Sequence, residues 1–317
     1  MKRIILVLAA VFLLSILVPL GIFFKVGKYK EPPKESEEVL LVYVKEEDKV
    51  LHMNKSQYLK EVVSAEMPAS FEDEALKAQA VAARSYLESR KSVEKDENGV
   101  HKGADICTDS SHCKAWISEE KRREIWGADA DKNWEKISRA VEETADEVMV
   151  YDDEIISAVF HSTSSGKTEN SKDVWGGERP YLVSVESPGD KLSPKLKSEK
   201  VISIDEFKTL AAQNIEGVNF DKGIIGQIKR SDAGGILTAE IGGVEVKGTQ
   251  IRSIFGLRST NAEITISDKE VRFDVLGYGH GVGMSQYGAN YFAAEGKGYM
   301  DILKTYYQGV EIVKLRE

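Results

Sequence analysis

Between Glu61 and Tyr86 the chain reads EVVSAEMPASFEDEALKAQAVAARSY, two helical segments forced apart by one proline. Tyr58, Val62 and Glu66 recur at i, i+4, i+8, with Leu59, Val63 and Met67 beside them. A helical stripe that is otherwise apolar therefore carries one carboxylate. Pro68 disfavours helical geometry at Met67 and ends the first helix there. Glu66 is thus expected at a helix C-terminus, where the macrodipole disfavours negative charge. Partial burial and the dipole both raise its pKa toward the range of a general acid at neutral pH. The plainer alternative is a structural carboxylate ion-paired with Arg84.

The second helix has its own start signals. Ser70 is placed to cap it with Asp73 three residues on, and Glu72, Asp73 and Glu74 supply negative charge to its first turn. Its body is small: Ala75, Ala78, Ala80, Ala82 and Ala83 allow another backbone to approach closely. Gln79, Arg84 and Tyr86 are its larger polar-tipped members.

The Glu-Met-Pro turn followed by FEDEALKAQAVAARSY resembles the stage II sporulation protein D family, lytic transglycosylases of endospore-forming bacteria. The likeness is close over 58–87 and over 271–292 (VRFDVLGYGHGVGMSQYGANYF). It is weaker but colinear at 157–181 and 248–260. The resemblance implies that Glu66 is the catalytic acid; Arg84, Tyr86 and the distant His280 loop are expected around it. It also implies a cleft lined by the glycine-rich segment, in which His280, Ser285, Gln286 and Tyr287 are expected to supply hydrogen bonds to substrate. Its setting would be engulfment during sporulation, alongside other engulfment proteins including a peptidoglycan amidase that strips stem peptides.

At 317 residues and 42% apolar content the chain can bury a sizeable core in one or two domains. A net charge of -9 without a basic tract argues against nucleic acid as a partner. Ile4 to Phe24 is uncharged and long enough to span a bilayer. Met1-Lys2-Arg3 before it favours a cytoplasmic N-terminus, and no small-x-small cleavage site follows. The expectation is an uncleaved signal anchor (1–24), a Pro-containing linker (25–38) and a catalytic region (39–317) outside the cytoplasm, held to the cell membrane by one span. Lys25, Lys28 and Lys30 weaken the charge bias, so orientation rests partly on the family's extracytoplasmic substrate.

Along the catalytic region, Val39–Val44 and Val50–Met53 read as paired strands. Residues 91–118 read as an inserted loop and 119–149 as helical, with Trp134, Ile137, Val141 and Val148 at roughly helical spacing. Ser187 to Lys200 reads as a surface excursion. Ser203 begins a helix with a capping box to Glu206. Gly234-Gly235 and Gly242-Gly243 separate β-like runs within a β-rich subdomain at about 195–262. Helices follow near Ser285–Glu295 and Met300–Gln308. Helices and strands are segregated, which makes the class α+β, a mixed helix and antiparallel-sheet architecture.

Four groups with metal-binding chemistry fall close together: His101, Cys107, His112 and Cys113. Two imidazoles and two thiolates suit tetrahedral zinc, structural or cleft-shaping. A Cys107–Cys113 disulfide or two free thiols are the alternatives. Gly277 to Gly288 lacks the βαβ context of a nucleotide-binding turn. Its glycines are expected to let the backbone approach a polysaccharide around His280. The run from Phe160 to Thr168 has no nucleophile elbow, so His161, Ser164 and Lys167 are taken as glycan contacts.

The reading is a membrane-anchored lytic transglycosylase. It would cleave between N-acetylmuramic acid and N-acetylglucosamine in peptidoglycan glycan strands and form a 1,6-anhydro muramic end. No second carboxylate matched to Glu66 is apparent, which favours transglycosylation over hydrolysis. The rivals are a zinc-dependent peptidoglycan amidase or peptidase using the His/Cys cluster, and a non-enzymatic wall-binding scaffold.

Overall fold

A computed structural model describes residues 38–91, 99–110 and 112–315, all within one compact unit, Glu35–Glu317. The expected membrane span, nearly all of the tether and residues 92–98 of the inserted loop lie outside the described residues. Among the described residues no helix is long and apolar enough to cross a membrane.

Strand β1 (Val39–Val44) pairs antiparallel with β2 (Lys49–Asn54). The turn between them exits through Asp48 at φ 50, and Tyr43 Oη donates to the Asp48 carboxylate at 2.7 Å. Helix α1 (Lys55–Glu66) starts at Asn54, whose side chain accepts from the Gln57 N–H, and stops at Met67 in the extended conformation that Pro68 demands. Helix α2 (Asp73–Lys91) begins later than a Ser70 cap would place it. Pro68 to Phe71 forms a turn, and the Glu72 carbonyl accepts the first helical bonds from Ala75 and Leu76. The α2 alanines are all nearly or wholly buried. Their small size lets α2 be packed on several sides at once, by α1 and by later elements of the chain.

The two-residue strand β3 (Ile106–Cys107) lies parallel to β1 on its free edge. The helical region expected over 119–149 is broken. Helix α3 (Glu119–Trp126) ends at Gly127, which takes φ 55, and α4 (Ala130–Glu143) follows. Asp146 at φ 63 then turns the chain into strand β4 (Glu147–Tyr151), so Val148 is a strand residue, not a helical one. Strand β5 (Glu154–Ile155) pairs with β4, and β6 (Phe160–His161) and the short helix α5 (Ser171–Trp175) come next.

The segment from Ser187 is not the surface excursion its prolines suggest. Ser187 and Asp190 are completely buried, and a Cβ on Gly189 would sit 2.1 Å from that of Tyr291. The chain then enters a second core. Strand β7 (Lys197–Ser203) leads to α6 (Ile204–Asn214), capped by Ser203 through the Glu206 N–H. The sheet of β8 (Ile225–Arg230), β9 (Ile236–Ile241) and β10 (Val244–Lys247) turns at both glycine pairs. Helix α7 (Gly248–Ile254) and the antiparallel pair β11 (Ala262–Ile266) and β12 (Glu270–Leu276) complete it, with β12 also pairing with β7. The rings of Phe207 and Phe255 stack at 4.7 Å, with Phe273 beside them. This core draws on residues 202–275.

The chain returns to the first core through β13 (Met284–Ser285), parallel to β6. Helices α8 (Gln286–Ala294) and α9 (Tyr299–Tyr306) pack on α2, and β14 (Glu311–Lys314) pairs with β4. Helices and small, mostly antiparallel sheets make the fold α+β.

Candidate active site

Glu66 is the last residue of α1, past the point where Tyr58 and Val62 of the same stripe are sealed in the core. Its carboxylate is half-buried and held at both oxygens. Oε1 accepts from the Ala115 N–H at 3.0 Å, and Oε2 accepts from Gln286 Nε2 at 3.0 Å. Among the described residues no ion pair reaches it. Burial pushes its pKa up, against the lowering charge of Lys114 and these two hydrogen bonds. A second carboxylate of α1, Glu61, is buried for a structural reason. It accepts from Trp116 Nε1, Gln57 Nε2 and the Glu119 N–H, which fastens 115–119 onto α1 and presents Ala115 to Glu66.

Glu66, Ala65 and Lys195 belong to the walls of two adjoining cavities. One, of about 740 Å³, runs past Ser70, Arg122, Trp126 and Asn133. The other, of about 710 Å³, is lined by Tyr86, Lys114, His161, Trp175, Arg252 and His280. Three cations thus face the second cavity, and among the described residues none of them has an ion-pair partner. Lys114 lies against the rings of Tyr86 (4.1 Å) and Phe160 (3.9 Å), and burial pulls its pKa down to about 8. Sequence reasoning missed Lys114, Lys195, Arg252 and Trp175. Trp175 and Arg252 lie in the segments of weaker resemblance, where nothing singles out one residue, and only the tertiary fold brings all four to Glu66.

His161 and His280 face one another, ring centroids 5.6 Å apart. His161 Nδ1 donates to the Val282 carbonyl at 3.1 Å, which leaves Nε2 buried and unpartnered among the described residues. His280 Nδ1 accepts from the Val282 N–H at 3.1 Å. Burial lowers both pKa values, and the charges of His161, Lys114 and Arg252 depress that of His280 further, which favours the neutral form of both rings. The glycines around His280 have a packing use. A Cβ on Gly279, at φ 119, would come 2.7 Å from that of His161, and one on Gly283 would come 2.1 Å from the Val159 carbonyl oxygen. They let this loop close against 159–164 of the same chain.

The other expected contacts divide. Gln286 touches Glu66, and Tyr86, His161 and His280 line the cleft. Arg84 does not: it is wholly buried and donates to the carbonyls of Val141, Thr144 and Glu147, satisfying the end of α4. Ser164 and Ser285 both donate to the buried carboxylate of Asp190, and Ser285 also caps α8 through the Gly288 N–H. Lys167 lines a small recess beside Ser259–Asn261, apart from Glu66. Tyr287 meets Phe71 edge-on at 5.0 Å and lies 5.9 Å from the Lys195 ammonium.

The four metal-type donors converge. Nε2 of His101 lies 3.1 Å from Nδ1 of His112 and 3.1 Å from Sγ of Cys113. Nδ1 of His112 lies 3.5 Å from Sγ of Cys113 and 3.6 Å from Sγ of Cys107. All four donor atoms fall within 4.8 Å of one another, and the cysteines are buried and not joined by a disulfide. Tetrahedral ligands at ~2.1–2.3 Å from a zinc ion stand roughly 3.3–3.8 Å apart, close to these separations. The Cys107 thiol, itself pushed up, hydrogen-bonds Cys113 and pulls it down to about 4. Cys113 leads directly into Lys114 and Ala115, so this loop and the Glu66 carboxylate share one short stretch of backbone.

The family model "Stage II sporulation protein" (SpoIID) matches residues 43–151. The chain is 39% identical over 280 residues to stage II sporulation protein D of Bacillus amyloliquefaciens, covering 88% of this chain and 80% of that one. It is 37% identical over 287 residues to the protein of the same name from Bacillus subtilis (strain 168), covering 90% and 82%. A more distant likeness, 26% over 305 residues, is to the amidase enhancer of the same organism, covering 80% of this chain and 40% of that one. The chain belongs to the stage II sporulation protein D family.

Proposed function

We propose that this sporulation protein is a lytic transglycosylase of peptidoglycan glycan strands, anchored in the cell membrane by residues 1–24 with its catalytic region outside the cytoplasm. The observation that carries the reading is one carboxyl group of raised pKa standing where two cavities meet, held at both oxygens by neutral donors and, among the described residues, by no ion pair. Protonated Glu66 gives its proton to the glycosidic oxygen as the muramic C1–O bond breaks, freeing the 4-hydroxyl of the neighbouring N-acetylglucosamine. The muramic 6-hydroxyl then bonds to C1 and returns its proton to Glu66, leaving a 1,6-anhydro end and consuming no water. Gln286 and the Ala115 N–H support the carboxylate in the interval when it acts as base. His161 lines the second cavity, and its buried Nε2, unpartnered among the described residues, offers an acceptor to a sugar hydroxyl once the ring shifts toward the cleft. The setting is septal wall degradation during engulfment, with a peptidoglycan amidase as partner.

His101, Cys107, His112 and Cys113 would hold zinc. Bound there, the ion would serve as a structural clamp, because four protein donors fill a tetrahedral shell. That saturation also argues against a zinc amidase or peptidase, which needs an open coordination position. The Glu66→Gln variant tests the reaction. It is expected to fold and bind sacculi yet release no anhydro-ended glycan by mass spectrometry; undiminished release would remove Glu66 from the chemistry.

A further inference from the structure

Trp175 is a half-exposed indole on a tightly fixed piece of backbone. It ends α5, and Gly176 closes the helix in the left-handed conformation with its N–H on the Lys172 carbonyl. Ser171 takes up the Leu182 carbonyl through its own N–H and the Arg179 N–H through Oγ, while Asn170 accepts the Ser184 N–H. The Trp175 ring leans on His280 at 5.1 Å and 55°, yet 48% of the residue stays open to solvent, against 7% for Trp134. An indole held so firmly forgoes a large apolar burial unless something covers it.

Its position shows where the cover would come from. Trp175 lines the Glu66 cleft and also a further cavity of about 540 Å³. That cavity lies between 169–176 of the first core and the β-rich unit, which contributes Thr238, Lys247, Thr249 and Thr260. Lys172 and Asp173 face it from the other side. Hydroxyl and charged groups around one aromatic face are the chemistry of a sugar site. The C–H face of the ring packs on the indole, and its hydroxyls find donors and acceptors at the rim. An apolar protein or lipid partner would leave these polar groups unsatisfied.

We propose that Trp175 is the platform of a distal sugar subsite, through which a glycan strand continues from the Glu66 cleft into the cavity beside the β-rich unit. The proposal rests on the glycan reading above and adds to it a dependence on strand length.

Binding and turnover of short and long peptidoglycan glycan fragments test it, with the full chain and its Trp175→Ala and Trp175→Phe variants. Binding is measured by calorimetry in a Glu66→Gln background, so that no fragment is consumed, and thermal melts check each fold. The alanine variant should lose about tenfold more affinity for long fragments than for short ones, and phenylalanine should restore part of it. In the active enzyme the same selectivity should appear in KM, not in kcat. Equal binding across all three chains, or a loss in kcat uniform over fragment length, would overturn the subsite. If the wild type made no anhydro ends while binding still depended on Trp175, the reaction would fall and the subsite would stand.

Discussion

Nε2 of Gln286 donates to Oε2 of Glu66 at 3.0 Å, although 220 positions of the chain separate them. Ser285 makes this contact reproducible: it caps α8 through the Gly288 N–H and is itself tied to buried Asp190 at 2.5 Å. The first residue of one helix thus meets the last residue of another.

That bond favours the ionised form of Glu66, so Gln286→Ala should raise its pKa further. In the proposed reaction Glu66 starts protonated, so activity should fall as pH rises through its folded pKa. The falling limb of the pH–rate profile should therefore move upward, by about one pH unit for a lost bond to a charged group. The maximal rate should drop as the base form loses its support. A downward or absent shift of the limb would separate Gln286 from the acid.

Arg84 supplies a contrast, since its position on α2 suggests a place near the site and its contacts place it in the core. Arg84→Ala strands the carbonyls of Val141, Thr144 and Glu147, and should cost about 3 kcal/mol of stability in denaturant titration. The rate per folded molecule should be largely kept below the melting transition. A KM increase in a fully folded Arg84→Ala variant would restore it as a substrate contact.

Metal content and stability should move together. The chain purified without chelator should carry about one zinc per molecule, and Cys107→Ser or Cys113→Ser should carry far less. Stripping the metal should lower Tm by about 5 °C or more and depress activity, because Lys114 and the Ala115 N–H hang on that loop. Metal-free protein with unchanged Tm and unchanged activity would leave the four donors without this role.

What could be read from the chain follows how local each cause is. The end of α1 at Glu66 is dictated by Pro68 two residues on, and the caps at Ser203 and Ser285 lie within three residues of what they satisfy. The break at Gly127 precedes the periodic residues Trp134 to Val141, and a single glycine does not announce a stop. Ser187 to Asp190 looked like a loop because its composition is polar and Pro-containing, yet its polar groups are satisfied by partners far along the chain. The cations and Trp175 around Glu66 come from separate segments whose meeting is a property of packing alone. The two histidines were found by residue type, whereas the purpose of their glycines needed the neighbouring strand.

The route of the chain through two cores also bears on when the site comes into being. Glu66 and the Ala115 N–H belong to the part made first. The donor at 286 follows only after the whole second core, residues 202–275, has been synthesised. Contacts of such sequence separation form slowly, and domains build up as the chain emerges. A nascent or truncated chain lacking the last helices would display the carboxyl group without its long-range partner. Completion of the polypeptide is thereby a condition for assembling the carboxylate with both of its hydrogen-bond donors.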